Sequence, residues 1–369
     1  MEEISLYFHI PFCTKKCPYC HFFVVPNNIG SHSDLLEGLK TEWELISPLI
    51  ENKKIVSIYF GGGTPFLIGS AAIQTILSWI KPSHPVEITL EANPDDITLE
   101  AMQDFYEAGI NRVSIGIQSL DNPLLKTLGR IHTAQKATES VLLTHQAGIH
   151  NITVDLMFDL PGQTLSSWKS TLREVSTLPI THLSLYNLTF EPGAVFYKKQ
   201  KELSPLLPSE EVSLEMLSLA TTSLEKMGLK RYEISAFAKP SFESLHNVGY
   251  WTGRSFLGLG PSAFSYWEGK RFQNVCHLKK YTSSLKEKKL PRDFEEKLTP
   301  QASLHERFAI HLRLFRGVPR HLYHIQGDLL TRLEKKGWIT LSPDTICLTD
   351  EGKLFYDSVA EEIVILNSP

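Results

Sequence analysis

The chain has 369 residues, of which 42% are hydrophobic, enough for one large core and a smaller appended domain. Lys and Arg total 37 against 41 Asp and Glu, a near-neutral balance that offers no general attraction to nucleic acid or anionic lipid. The N-terminus is acidic and no run of about 18 apolar residues occurs, so we expect a cytoplasmic protein with no integral membrane segment.

Six short apolar runs rich in β-branched and aromatic residues alternate with stretches of helical period in the first half of the chain. This alternation predicts an α/β fold of parallel strands joined by helices, a partial (β/α)6 barrel. Chemistry in the related (β/α)8 barrel collects at the carboxyl ends of the strands. The predicted strands span residues 4–10, 55–60, 86–90, 112–117, 152–158 and 182–188.

Unusual polar residues follow every predicted strand, which indicates one functional site at that end of the barrel. In chain order they are the cysteine loop after residue 10, GGGTP at 61–65, EANP at 91–94, Gln118 with Ser119, Asp155 with LPGQT at 160–164, and TFEPG at 189–193.

The first of these segments carries three of the five cysteines, Cys13, Cys17 and Cys20, in one tight loop. Cys276 and Cys347 are isolated, so the set is a poor disulfide framework. Three soft thiolates can hold three irons of a [4Fe-4S] cluster and leave the fourth iron open. An open iron can chelate the amino and carboxylate groups of a small molecule.

Three alternatives compete with the cluster: a zinc site completed by His9 or His21, a redox pair, or cysteines that only pack. Zinc is the strongest rival. A closed zinc site usually has a second pair of ligands a dozen or more residues downstream, and no such pair occurs near residue 35. The loop therefore favours the cluster.

The stretch YFHIPFCTKKCPYC at residues 7–20 resembles the cluster motif of the radical S-adenosylmethionine (SAM) superfamily. FGGGTP at 60–65 and LPGQT at 160–164 are similar to its branch of oxygen-independent coproporphyrinogen III oxidases and HemW-type heme chaperones. The resemblance implies a [4Fe-4S] cluster bound to SAM.

The resemblance also implies a SAM pocket. The methionine moiety would lie on the glycine segment, Arg130 would suit its carboxylate, and Asp155 the ribose hydroxyls. The structural alternatives are a tight turn for the glycine segment, surface or ion-pair roles for the polar residues, and core packing for the tyrosines. The implied residues are Tyr7 and Tyr19 beside the cluster, Gly62, Gly63 and Thr64 on methionine, the polar ring Glu91, Gln118, Arg130 and Asp155, and Thr189 near adenine.

Two acidic residues near this pocket stand out. Glu91 ends an apolar strand, where an uncompensated carboxylate is costly, and a ligand cation is one compensation. Asp159 stands where the branch usually has glycine, which puts the local turn in doubt.

Beyond the barrel, assigned to residues 1–240, a connecting segment is expected at 241–298 and an α+β winged-helix-like domain at 299–369. The last part, 329–369, has four basic and seven acidic residues. Phosphate binding needs the opposite sign, so we interpret this domain as structural or as a lid rather than as a nucleic-acid binder.

Three features favour the chaperones within the branch. Phe22 stands where the enzymes have an extra cysteine, only six residues precede Tyr7 where they have an arm, and HNVGYW at 246–251 matches a motif associated with heme. His246 and Tyr250 are the candidate heme contacts, with packing in an aromatic subcore as the alternative.

The leading hypothesis is a heme-binding chaperone that carries a SAM-ligated [4Fe-4S] cluster and delivers heme to an unidentified acceptor protein. The alternative is an oxygen-independent coproporphyrinogen III dehydrogenase acting by radical oxidative decarboxylation. Cleavage of SAM in either case requires an electron, which implies a flavodoxin or ferredoxin type donor.

Overall fold

The computed structural model describes residues 1–82 and 84–365, and this part of the chain contains seventeen strands. They are β1 (Glu3–Ile10), β2 (Phe12–Cys13), β3 (Val25–Pro26), β4 (Lys54–Gly62), β5 (Glu87–Ala92), β6 (Arg112–Gln118), β7 (Asn151–Phe158), β8 (His182–Asn187), β9 (Lys230–Glu233), β10 (Ala236–Ala238), β11 (Ser255–Leu259), β12 (Phe264–Trp267), β13 (Lys270–Asn274), β14 (Arg292–Lys297), β15 (Val318–Pro319), β16 (Ile339–Leu341) and β17 (Thr345–Leu348).

Fifteen α-helices lie in the same described residues, and none of them is both long and apolar enough to cross a membrane. They are α1 (His32–Ile46), α2 (Ser70–Ile80), α3 (Leu99–Glu107), α4 (Asn122–Thr127), α5 (Ala134–Gln146), α6 (Leu165–Val175), α7 (Val195–Lys198), α8 (Gln200–Leu203), α9 (Glu210–Lys226), α10 (Leu245–Trp251), α11 (Leu278–Lys286), α12 (Pro300–His311), α13 (Gly327–Lys335), α14 (Asp350–Leu354) and α15 (Tyr356–Ile365).

The main sheet has the strand order β14-β13-β12-β11-β1-β4-β5-β6-β7-β8-β10-β9. The six consecutive strands from β1 to β8 in this order pair in parallel. They are the six strands predicted from the sequence, each within two residues at either end. The predicted partial (β/α)6 barrel is confirmed.

Sequence reasoning missed the strands that flank this barrel. β11 pairs in parallel with β1, and β12 to β14 continue the sheet in antiparallel fashion. Residues 241–298, expected as a connecting segment, thus contribute four strands to the main sheet. β11 has five residues and includes Gly258, where a Cβ would lie 2.1 Å from the Phe264 carbonyl oxygen. Because glycine is unfavourable in strands, a glycine required by close backbone approach weakens the sequence pattern that would predict a strand.

The barrel strands alternate between an apolar and a polar face. In β1, Leu6 and Phe8 belong to the main apolar core with the surrounding helices. The opposite face is polar in the strands at the centre of the barrel: buried Arg112 donates to Thr153 Oγ1 at 2.6 Å, and Ser57 donates to Ser5 Oγ at 2.8 Å. The interior is therefore a hydrogen-bonded polar space rather than a second apolar core.

Helix α10 closes the amino-terminal end of this interior. The backbone amides of Leu245 and His246, in its first turn, donate to the two carboxylate oxygens of Glu87 at 3.0 Å each. A carboxylate at a helix N-terminus satisfies amides that have no partner within the helix. We call α10 the barrel plug.

The C-terminal unit has an apolar core of its own, which includes Phe308, Leu333 and Val359. Its three-stranded sheet has the order β15-β17-β16, with Ile339 opposite Leu348 in the hairpin. Helix α13 before the hairpin and α14 and α15 after it agree with the predicted winged-helix-like domain.

Candidate metal centre

A cavity of about 440 Å³ opens at the carboxyl ends of the parallel strands. It brings together residues from the cysteine loop and from the ends of β4 to β8, as the polar segments after the strands predict. The predicted residues that line it are Cys13, Cys17, Cys20, Tyr19, Gly62, Gly63, Thr64, Glu91, Gln118, Arg130, Asp155 and Thr189. Tyr7, His246 and Tyr250 lie outside its lining.

The cysteine loop is fixed at its ends by short backbone pairings. β2 and β3 pair in parallel, with Cys13 opposite Pro26, and the Cys20 amide donates to the Cys17 carbonyl oxygen at 3.1 Å. All three thiols are free and partly exposed to the cavity. Within residues 1–82 and 84–365, no three His, Cys, Asp or Glu side chains converge closely enough to hold one metal ion. Ligands on three different irons of a cubane need no such convergence.

The surroundings of the thiols suit a metal cluster. Burial raises the pKa of Cys13 and Cys20 and so disfavours their thiolates, which a bound cation would stabilise. Arg130 Nη1 donates to Cys17 Sγ at 3.4 Å, and Cys13 Sγ lies 3.5 Å from Thr64 Oγ1. Three soft donors with polar support on one cavity wall fit a [4Fe-4S] cluster.

The glycine segment after β4 packs directly against the chain that leads into the cysteine loop. Gly62 has φ +111°, and a Cβ there would lie 2.6 Å from the His9 ring. A Cβ on Gly63 would lie 2.5 Å from the Phe12 carbonyl oxygen, and the Gly63 amide already donates to Ile10 O at 2.8 Å. The absence of side chains on these glycines lets the chain before the cysteine loop pack closely, and their amides donate hydrogen bonds to protein acceptors. A ligand here would meet carbonyl groups and the Thr64 side chain.

Glu91 lines the cavity and is hydrogen-bonded to protein groups. Its carboxylate accepts hydrogen bonds from Tyr59 Oη at 2.9 Å and the Gly62 amide at 3.2 Å. Desolvation, with the charge of Asp155 as a further cause, raises the pKa of Glu91 to about 7. A cationic ligand group bound beside Glu91 would stabilise its ionised carboxylate.

Arg130 joins the end of β6 to the cysteine loop. Its Nη2 donates to Asn93 Oδ1 and to the Gly116 carbonyl oxygen, both at 2.7 Å. Asn93 in turn donates to Thr64 Oγ1 at 2.9 Å. Asn93 is a cavity residue that the sequence prediction did not single out, although it lies in the EANP segment after β5.

The remaining pocket residues have local support. Asp155 accepts from Ser114 Oγ at 3.2 Å, and burial raises its pKa. Gln118 has φ +61°, so its side chain leaves β6 at a sharp turn. Thr189 donates to Glu191 Oε1 at 3.0 Å on the exposed rim.

Asp159 adopts the conformation that glycine takes without strain. Its φ is +58°, and its Oδ1 atom is buried without a hydrogen-bond partner. Burial raises its pKa, and a hydrogen bond with the Ser213 side chain partly opposes that rise. The turn keeps its left-handed geometry despite the substitution, at a local energetic cost.

The two candidate heme contacts lie in the barrel plug, away from the cavity. His246 is 1% exposed, with Nδ1 2.9 Å from Ser57 Oγ and Nε2 2.8 Å from Tyr250 Oη. Its ring lies 4.8 Å from that of Tyr59, centroid to centroid, and burial lowers its pKa to about 3. In this conformation both ring nitrogens are occupied. Tyr7 lies above them, with its hydroxyl 3.1 Å from His9 Nδ1.

His21 and Phe22 form an exposed pair on the rim of the cavity. Both line it, and Phe22 is 55% exposed. Their ring centroids are 4.6 Å apart. His9, the other histidine considered for zinc, is buried with Nε2 3.0 Å from the Phe23 carbonyl oxygen, and its pKa is lowered to about 4 by burial.

Known proteins resemble this chain along nearly its whole length. The Radical SAM superfamily pattern matches residues 7–175. The heme chaperone HemW of Bacillus subtilis (strain 168) is 33% identical, over 96% of this chain and 97% of that protein. HemW of Escherichia coli (strain K12) is 32% identical over 98% of each chain. Among solved structures, coproporphyrinogen III oxidase (HemN) from Escherichia coli superposes with a TM-score of 0.85 at 23% identity, covering 99% of this chain and 91% of that one.

Proposed function

The chain belongs to the radical SAM superfamily, in its HemW heme chaperone branch, and from this premise we propose that it binds heme and delivers it to an acceptor protein. In this proposal it carries a [4Fe-4S] cluster ligated by SAM. One observation carries the proposal: three free thiols and the polar side chains expected around SAM line a single cavity at the carboxyl ends of the barrel strands. The relatives' function supports the heme part.

Six residues of the cavity have defined roles in this proposal. Cys13, Cys17 and Cys20 would hold three irons, and the cluster would supply electron-transfer chemistry and a place for SAM to bind. Arg130 balances the charge of the Cys17 thiolate through its hydrogen bond. Glu91 offers a carboxylate to a cationic group, and Asp155 offers oxygens to hydroxyl groups.

The site that binds heme, the acceptor protein, a cytoplasmic location and a flavodoxin or ferredoxin type electron donor belong to the same proposal. The likeness to HemN concerns the fold. Coproporphyrinogen III decarboxylation is the competing activity, and Phe22 at the cluster loop argues for the chaperone.

A pair of cysteine variants tests the cluster. We expect Cys17→Ala to lose the cluster, whereas Cys276→Ala, an exposed cysteine outside the cavity, keeps ~4 irons per chain after anaerobic reconstitution. Iron and sulfide analysis with electron paramagnetic resonance of the reduced samples measures this. SAM should alter the spectrum of the control variant. Equal iron content in both variants would rule out Cys17 as a ligand.

Delivery needs its own test. Protein loaded with one equivalent of heme is mixed with apomyoglobin as the acceptor probe, and transfer is followed by absorption. Release of the bound heme to the probe supports a carrier. Heme that stays on the chain through the incubation would mean that it is a resident cofactor rather than cargo.

A further inference from the structure

The two ring nitrogens of His246, in the barrel plug, contact different kinds of partner. Nδ1 lies 2.9 Å from Oγ of Ser57, a residue of barrel strand β4. Nε2 lies 2.8 Å from the hydroxyl of Tyr250, one turn further along the same helix. Ser57 is fully buried, whereas Tyr250 is partly exposed. One nitrogen therefore faces the barrel wall, and the other faces a single side chain of the plug itself.

The hydrogen bonds around Ser57 determine which nitrogen of the ring carries the proton. Ser57 donates to Ser5 Oγ at 2.8 Å, and a hydroxyl has only one hydrogen to donate. Ser57 can therefore only accept from His246, so Nδ1 is the protonated nitrogen. Burial lowers the pKa of His246 to about 3, so the ring is neutral near pH 7 and Nε2 holds a lone pair. Tyr250 donates to that lone pair in this conformation.

A cation favours the acceptor role of Ser5. Arg254 Nη1 donates to Ser5 Oγ at 3.4 Å and to the Leu245 carbonyl oxygen, in the first turn of the plug, at 3.0 Å. A guanidinium has donors and no acceptor, so the Ser5 oxygen presents lone pairs to Arg254 and to Ser57. Donation thus runs in one direction, from His246 through Ser57 to Ser5.

We propose that Ser57 positions the His246 imidazole for heme by accepting its Nδ1 proton, so that Nε2 is the nitrogen offered to iron. This inference rests on the proposed function, since it takes heme as the cargo and His246 as its contact. A histidine that binds a metal usually donates its other N–H to a fixed acceptor, which sets the tautomer and the ring orientation. Tyr250 occupies the iron position on Nε2 and gives up one hydrogen bond when heme binds.

The plug has other bonds that hold it in place. Two backbone amides of its first turn donate to Glu87, and Ser244 Oγ accepts from the Asn247 amide at the helix N-terminus. Removal of the Ser57 hydroxyl leaves all three of these bonds intact. The substitution should therefore change the orientation and electronic state of the His246 ring while the helix stays folded.

The tautomer is tested without heme, by NMR of the ¹⁵N-labelled histidine rings in the whole chain, with His246→Asn to assign the signal. The wild type should be protonated on Nδ1. Ser5→Ala removes the acceptor of the Ser57 hydrogen, which then donates to Nδ1, so the His246 proton should move to Nε2. A proton on Nε2 in the wild type, or the same tautomer in both proteins, would overturn the inference.

The consequence for heme is tested by titrating the reconstituted protein and following absorption in the Soret region. Ser57→Ala should bind heme about tenfold more weakly and raise its reduction potential, because an imidazole that donates no hydrogen bond is less basic and stabilises ferric iron less. Ser57→Thr keeps the hydroxyl and should restore both values. The matched control is Ser140→Ala, equally buried in α5, where Oγ donates to the Ala137 carbonyl oxygen at 2.7 Å.

The outcomes separate the inference from the proposed function. Circular dichroism and iron content must match the wild type in each variant. Saturable heme binding with unchanged affinity and potential in Ser57→Ala would overturn the inference and leave the proposed function standing. Wild-type heme binding in His246→Asn would have the same consequence. Absence of saturable heme binding in the wild type would overturn both.

Discussion

At the scale of single residues, three acidic residues of the site are energetically unfavourable where they lie, for different reasons. Glu91 and Asp155 are desolvated carboxyls with partial hydrogen bonding. Asp159 carries backbone strain as well, with its φ of +58°. Desolvation and strain of this kind are typical of ligand sites, where a bound ligand or the surrounding structure offsets them.

Asp159→Gly should stabilise the protein by about 1 kcal/mol, because glycine adopts a positive φ without strain and the buried carboxylate disappears. The pKa of Asp159 is raised in the folded state, so the gain should be larger at pH 7 than near pH 2, where the carboxyl is protonated in both states. Denaturant titration measures it. Lys288→Gly, at an exposed residue with φ +57°, is the control for backbone relief alone. A loss of stability in Asp159→Gly would show that the hydrogen bond between this carboxyl and the Ser213 side chain outweighs both costs.

SAM affinity should rise with pH through about 7. Glu91 has a folded pKa of about 7 against an ordinary 4.5, so its proton favours the folded state at low pH and that contribution is lost as pH rises from 4.5 through 7. A cation bound to Glu91 favours the ionised form and releases the proton. Calorimetry in buffers of different ionisation enthalpy detects that proton, and Glu91→Gln should abolish it. Affinity independent of pH in the wild type would place Glu91 outside the SAM contacts.

At the scale of elements, helix α1 is fastened to the strands beyond the barrel by one buried carboxylate. Glu42 accepts hydrogen bonds from the Gly260 amide at 2.8 Å, and from Asn274 Nδ2 and Tyr281 Oη at 2.6 Å each. These donors lie in or beside β11, β13 and α11. The segment from 241 to 298 is therefore part of the barrel's own packing.

Glu42→Ala should lower the free energy of unfolding by about 3 kcal/mol, since three buried donors lose this acceptor and only Asn274 Nδ2 keeps another, the Gly260 carbonyl oxygen. Glu44→Ala, on the exposed face of the same helix, should change it by less than about 0.5 kcal/mol. Urea unfolding of both variants compares them. Similar values for the two would mean that water replaces the lost carboxylate.

Sequence reasoning located the elements whose signal is local. The six barrel strands and the cysteine loop could be predicted because apolar runs and ligand spacing are contained in short windows. β11 could not, since its place beside β1 depends on a contact between Ser255 and Ile4, far apart in the chain. Two hydrogen-bonded contacts could not be predicted either, because they also join residues far apart in the chain. They are the bond from the Gly63 amide to Ile10 and the contact of the His246 ring with Ser57.

At the scale of the whole molecule, the two ends of the barrel differ in what they expose. The carboxyl end carries the thiols and the polar residues proposed to bind SAM, and the amino end is closed by the barrel plug through Glu87. The polar interior between them links Ser57 and His246 at one end to Tyr59 and Glu91 at the other.

The most direct test of the heme carrier proposal is to titrate the anaerobically reconstituted wild-type protein with heme while assaying coproporphyrinogen III on the same sample with SAM and a reductant. We predict saturable binding of about one heme per chain and no consumption of coproporphyrinogen. Coproporphyrinogen turnover without saturable heme binding would contradict the proposal and identify the chain as a radical SAM decarboxylase.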